Sequence, residues 1–276
     1  MPDVSDYEIF KTNEPPAPSR RSIGLWIGVA VILVAALATL LWLVAHRRPA
    51  PAPVAAHTEA PPAPPRPLGG AGDSIPLPPL NETDPIVREL VKKISGNPQI
   101  AAWLATNDLI RDFTIGVANV AQGQGARGQL SMLRPSSNFR VIERGNQITI
   151  DPKSYARYDS LAAAAESLDP AGTARLYATL KPRIEEAARE LGDSSFDRTF
   201  ERAIVSLLNT PTATDPIVVE TRGIGYGFAD PKLEALTSSQ KHLIRTGPRN
   251  AAAIKQALRN IAVALGIPEE RLPRNP

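Results

Sequence analysis

From Ile23 to Ala45 the chain carries no charged side chain, in "IGLWIGVAVILVAALATLLWLVA". At about 1.5 Å per residue, a helix of this length crosses the roughly 30 Å hydrocarbon core of a bilayer with modest tilt. Trp26 and Trp42 stand near its two ends, with Arg20 and Arg21 before it and Arg47 and Arg48 after it, as interfacial anchors do. A cleaved leader has a shorter apolar region, about 7–15 residues, followed by a small-x-small site. Here "LVAHRRP" follows, so the run reads as a retained anchor. The pattern thus predicts a short tail over 1–21 and a transmembrane helix over 22–46.

Beyond the anchor the apolar positions lose all periodicity. "PAPAPVAAHTEAPPAPPRPLGGAGDSIPLPP" fills most of 47–80, and its prolines bias the backbone to an extended, unladdered form. We read 47–80 as a spacer that reaches about 100 Å when stretched and about a third of that as a coil. His57 lies inside it and is no credible ligand.

Helical spacing appears in 81–276. One stripe is Val87, Leu90, Val91 and Ile94; a second is Leu109, Ile110, Phe113, Val117 and Val120. Leu176, Leu180, Ile184, Ala187 and Leu191 make a third, with Pro182 expected to kink its helix. Phe200, Ile204, Leu207 and Leu208 make a fourth. Asp84, Asn97, Asp169 and Asp230 each precede a proline, the signature of a capped first turn, and Gly96, Gly192, Gly247 and Gly266 stand where helices would end. A further helix is expected from Pro231 to Arg245, with Leu233, Leu236, Leu243 and Ile244 on its apolar face.

Two stretches alternate instead. Phe139–Ile150 turns at Arg144-Gly145-Asn146, and Ile217–Phe228 turns near Arg222-Gly223, so both read as β-hairpins able to share one small sheet. The fold class is therefore a single N-terminal transmembrane helix plus a mainly helical α+β domain with two β-hairpins.

Composition removes several chemistries. No cysteine is present, which excludes disulfides, thiolate catalysis and cysteine-bearing zinc sites. The formal charge is +3, with basic and acidic residues interleaved, a poor footprint for nucleic-acid binding. Gly123, Gly125 and Gly128 match GxGxxG, but a helix precedes them where a strand is needed, so they read as a loop and imply no cofactor. Glu166-Ser167 matches the Glu-Ser pair of lytic transglycosylases but lacks the rest of that pattern, and a helix-surface glutamate is the better reading. His242 is the sole histidine of the folded part, with no GxSxG elbow and no ligand spacing, so no catalytic or metal residue is assigned. Its place beside Lys241 and Arg245, just before Gly247, is the last turn of a helix, where cations favour the dipole.

"LIRDF" (Leu109–Phe113), "DPKSYARYD" (Asp151–Asp159), "FADPKLEAL" (Phe228–Leu236) and "QKHLIRTGPRN" (Gln240–Asn250) together resemble a bacterial family of membrane-anchored proteins, the domain of unknown function 3014. The resemblance covers about Leu77 to Leu265. It implies one bacterial domain behind an N-terminal span and brings no established activity or catalytic residues.

The expected function is a binding or scaffolding module at the bacterial inner membrane, with the C-terminal domain in the periplasm. The positive-inside count is tied, Lys11, Arg20 and Arg21 against Arg47, Arg48 and Arg66, and the long spacer decides the orientation. Its partner would be an envelope protein or the cell-wall polymer; the alternative is a cell-wall hydrolase using a carboxylate pair. The candidate recognition surface is Gln240, Lys241, Arg245 and Asn250, with Tyr155, Tyr158 and Asp159. Within the anchor, Gly24, Gly28, Ala35 and Thr39 share a helical face suited to homodimerisation.

Overall fold

A computed structural model describes residues 67–274 except 127, 129–134 and 136. The anchor, with Gly24, Gly28, Ala35 and Thr39, and most of the spacer lie outside the described residues. Among the described residues no helix is long and apolar enough to cross a membrane.

Nine helices are described: α1 Asp84–Lys92, α2 Pro98–Leu104, α3 Leu109–Ala121, α4 Asp159–Glu166, α5 Pro170–Glu190, α6 Phe196–Leu208, α7 Pro231–Glu234, α8 Ser238–Arg245 and α9 Pro248–Ala264. Three of the four aspartate/asparagine–proline signals act as read. Asn97 accepts from Gln99 N–H at 2.8 Å, Asp169 from Gly172 N–H at 2.6 Å and Asp230 from Lys232 N–H at 2.8 Å. Asp84 differs. Its two carboxylate oxygens accept from Asp108 N–H at 2.9 Å and Leu109 N–H at 3.0 Å, so it caps α3 and not its own helix. Two adjacent orphan amides at the start of α3 match a carboxylate better than the single amide within reach at its own N-terminus.

Helix ends follow the glycines. At Gly192 (φ 77) the Asp193 amide returns to Ala188 O at 2.9 Å, which closes α5 with a left-handed residue. Gly96 is not left-handed among the described residues. The 21-residue α5 continues through Pro182, whose own side chain is exposed. The α7–α8 region departs from the expected single helix. Thr237 and Gln240 form a capping box that ends one helix and starts another, so the run Pro231–Arg245 is two helices.

The larger core joins α1, α2, α3, α5, α6 and α9. Its centre is aromatic: Phe113 meets Phe200 edge-on at 5.6 Å between centroids, and Tyr177 lies 5.1 Å from Phe200. Leu191, assigned to the third stripe, is instead 48% exposed, because it follows the last turn of α5.

The two hairpins form one four-stranded antiparallel sheet in the order β1 (Val141–Arg144), β2 (Gln147–Ile150), β3 (Val218–Arg222) and β4 (Gly225–Phe228). They join through Ile148 opposite Val219 and Thr149 opposite Val218. Gly145 (φ 58) and Gly223 (φ 57) open two-residue turns with the positive φ that such tight loops need. Ile150, Tyr155, Ile217, Val219, Phe228 and Ile244 make a second core, which packs the sheet on α8.

The domain also begins earlier than residue 81. Leu68 and Leu80 are buried, Gly69 N–H donates to Leu265 O at 2.9 Å, and Asp73 N–H donates to Thr179 Oγ1 at 2.8 Å. A Cβ on Gly72 would lie 2.4 Å from Thr179 N, so the strap runs flush against α5. Residues 67–80, assigned by composition to the spacer, therefore belong to the packed domain. Leucines at 68, 77 and 80 give this proline-rich stretch large apolar side chains, whereas the apolar residues of 47–66 are only Val54, alanines and prolines.

Candidate functional site

The α8–α9 corner gathers the residues singled out from the sequence. Gly247 turns the chain at φ 91 and ψ 158, a conformation open essentially to glycine alone. Tyr155 lies flat on it: a Cβ there would fall 2.4 Å from Tyr155 Cγ. Asn250, buried to 5% exposure, donates through Nδ2 to Tyr155 O at 3.0 Å, Asp159 Oδ1 at 2.9 Å and Thr246 O at 3.1 Å. Tyr155 Oη donates to Asp215 Oδ1 at 2.8 Å. Burial first, and the neighbouring Asp215 carboxylate second, push its phenol well above the usual range.

The cations of the corner have internal partners too. Arg245 donates to Tyr226 O at 2.9 Å and stands 5.0 Å over the Phe228 ring. Lys241 Nζ reaches Glu234 O and Oε1, each at 3.0 Å. The Phe228 amide and then Lys241 hold the Glu234 carboxyl below its usual range. Gln240 Nε2 donates to Ser206 O at 3.0 Å. Tyr158 is half-buried under Arg157, whose guanidinium is 5.2 Å from its ring. Asn250 thus brings Tyr155 and Asp159 together, Arg245 bonds the sheet, Gln240 bonds α6 and Lys241 bonds α7. His242 sits in the last turn of α8, as read, and faces Gly125: a Cβ on Gly125 would lie 3.0 Å from His242 Cε1. Gly123 (φ 77) ends α3, so the first two glycines of the GxGxxG match close a helix and pack on α8. Glu166 is exposed at the end of α4, and Ser167 Oγ bonds Ser95 Oγ at 2.7 Å.

Beside the corner lies a cavity of about 210 Å³, bordered by Thr210–Ala213, Ile244, the first turn of α9 and Lys255. Lys255 Nζ donates to Thr210 O at 2.8 Å. Burial, then the nearby Arg259, lower its affinity for a proton.

The family model for "Protein of unknown function (DUF3014)" matches residues 109–262. The chain belongs to the DUF3014 family. The match starts later than the Leu77 expected from the motifs and ends near the expected Leu265. No curated protein and no solved structure matches the chain. The DUF3014 segment contains the whole α8–α9 corner, both hairpins and the cavity beside them.

A second cavity spans the boundary of the DUF3014 match. About 270 Å³ in volume, it opens between α1, α2, α3, α5 and α6, and carbon lines it almost throughout. Val87 and Val91 of α1 form one wall, Ile100 and Trp103 of α2 a second, and Leu176 and Leu180 of α5 a third. Trp103 Nε1 is buried with no hydrogen-bond partner among the described residues. This cleft escaped the sequence reading, although Trp103 is the single tryptophan outside residues 22–46.

Near the start of α3 stand three acids, Asp84, Asp108 and Asp112, of which only Asp112 lies within the DUF3014 match. Asp108 is the one non-glycine with positive φ (56) among the described residues. Burial first, then Asp108 and Asp84, raise the Asp112 carboxyl above its usual range. Among the described residues no group of three or more His, Cys, Asp or Glu is arranged to hold a metal ion.

Proposed function

We propose that this protein is a single-pass, membrane-tethered binding or scaffolding module of the bacterial envelope, with its DUF3014 domain in the periplasm. The uncharged run over 22–46 supports the tether, and the proline-rich sequence over 47–66 supports a spacer between it and the domain. The observation that carries the binding role is the open apolar cleft beneath Trp103. Pockets lined by carbon with a few placed polar groups are where proteins take ligands.

Crosslinking in intact cells, followed by identification of the captured component, tests this reading. An envelope component captured through the domain supports it. A reporter fused after Asn275 that is active only in the cytoplasm overturns the orientation. Gly24, Gly28, Ala35 and Thr39 supply the face for a homodimer, which disulfide trapping of cysteines placed along the anchor would register.

The hydrolase alternative has one specific point of support, the raised Asp112 carboxyl beside Asp84 and Asp108. Loss of cell-wall cleavage on Asp112→Asn would favour it.

A further inference from the structure

The cavity beside the α8–α9 corner, about 210 Å³ in volume, carries charge of one sign only. Lys255 is its sole charged lining residue, and no aspartate or glutamate borders it. The Lys255 side chain reaches from α9 across to Thr210 O at 2.8 Å, and both residues border the cavity. That bond uses one of three ammonium protons; the other two have no acceptor among the described residues. Arg259 stands one turn further along α9 and bonds Pro273 O. Two half-buried cations therefore lie close together with no carboxylate partner among the described residues. Burial first, then Arg259, disfavour the charged form of Lys255, and a bound anion removes that cost. The rest of the lining is largely aliphatic, from Pro211, Ile244, Pro248, Ala251 and Ala252. Thr212 adds an exposed hydroxyl that makes no hydrogen bond among the described residues.

We propose that this cavity binds a small aliphatic carboxylate, with Lys255 Nζ donating to the carboxylate and the carbon chain packed against Ile244 and Pro211. An apolar cavity of about 150 Å³ accepts a six-carbon ring, so this one has room for roughly eight non-hydrogen atoms. A phosphate dianion fits less well. Its oxygens call for an arginine fork or several free amides, whereas this lining offers one ammonium in a mainly aliphatic wall. A free short-chain acid and the last residue of a peptide both present the group that fits. The site lies within the DUF3014 match and needs neither the tether nor the cleft beneath Trp103.

The test titrates the full chain in detergent micelles with butyrate, with N-acetyl-alanyl-alanine and with the neutral amide butyramide, followed by ligand-observed NMR. At least one carboxylate should bind with a dissociation constant below about 10 mM, and butyramide should bind about tenfold more weakly than butyrate. Binding of butyrate supports a free acid as the source, and binding of the peptide supports a chain terminus. Ala252→Leu narrows the cavity from an exposed position on α9 and leaves Lys255 in place. It should lower affinity about tenfold without lowering the melting temperature. Lys255→Gln should abolish the preference for carboxylate over amide. The ε-carbon shift of Lys255, followed against pH in lysine-labelled protein, should report a higher pKa once the carboxylate is bound. Equal affinity for butyrate and butyramide overturns the anion. Unchanged affinity in Ala252→Leu overturns the cavity as the site, and an unmoved Lys255 titration overturns the Lys255 contact. Failure of both carboxylates to bind below about 10 mM overturns site and ligand together.

Discussion

Gly247 and Tyr155 are packed backbone to ring, so closely that a single methyl group on the glycine would lie 2.4 Å from Tyr155 Cγ. The contact joins the α8–α9 corner to the segment that follows β2, and neither partner can retreat. Tyr155 is held at its hydroxyl by Asp215, and its carbonyl is held by Asn250. Gly247→Ala therefore combines a backbone conformation that other residues rarely adopt with a steric overlap. The expected loss is about 3 kcal/mol or more, read as a lower midpoint in urea or thermal unfolding. A loss under 1 kcal/mol would show that the corner is loose.

Asn250 offers a sharper distinction between a structural and a recognition role. Its amide donates to Tyr155 O, Asp159 Oδ1 and Thr246 O from a buried position. Asn250→Ala leaves buried acceptors short of a donor and should cost about 1–3 kcal/mol. Asn250→Asp should cost more, because it turns a carboxylate toward the Asp159 carboxylate and two carbonyls. Were Asn250 a ligand contact only, both variants would melt with the parent protein and differ in binding alone.

These two residues also mark how far the sequence could be read. Gly247 followed by Pro248 announced a helix end and a new helix start through local backbone rules, and that corner is found. The hairpins were legible for the same reason: alternation on both sides of Arg144-Gly145-Asn146 specifies a turn without help from distant residues. The break at Thr237 was locally written as well, in the capping box Thr237–Gln240, but the apolar spacing of Leu233, Leu236, Leu243 and Ile244 masked it. The partnerships were not legible. Asp84 caps α3 across a gap in sequence, and Asn250 meets Asp159 from another helix; only the tertiary fold chooses those partners. The cleft beneath Trp103 is hidden for a stronger reason. Its walls join Val87 to Ile184, and a void is made by what fails to meet, which no periodicity records.

Asp112 is expected to behave oppositely to a stabilising carboxylate. Burial and the neighbouring Asp108 and Asp84 raise its pKa in the folded state, so its ionised form is disfavoured on folding. The proton it prefers to keep is lost as pH rises, and the folded state is then destabilised relative to the unfolded chain. Asp112→Asn should raise stability at pH 7, by up to about 1 kcal/mol, and give no gain below about pH 4. Urea midpoints of the two proteins at pH 7 and pH 3.5 provide the comparison. An equal gain at both values would mean that charge is not the cause.

Asp197 sets the acid limit of the N-terminal strap. Burial works to raise its pKa, but the Lys181 ammonium, the Tyr177 hydroxyl and the Leu68 amide together overcome that and hold it below its usual range. Leu68 N–H donates to Oδ2 at 3.2 Å and Tyr177 Oη to Oδ1 at 2.6 Å, while Lys181 Nζ closes an ion pair on Oδ2. A folded pKa below the unfolded one gives stability that is complete above the unfolded value, about 3.9, and is lost as pH falls through the folded value. The contribution is thus whole at neutral pH and fades below about pH 4. Asp197→Asn should destabilise the domain at pH 7 by about 1–3 kcal/mol and flatten the acid limb of stability against pH. It should also expose the Leu68 and Gly69 amides, so hydrogen exchange in residues 68–73 rises before exchange in α3 or α6. If those amides stay protected in the variant, the leucines rather than Asp197 hold the strap, and Leu68→Ala should release it instead.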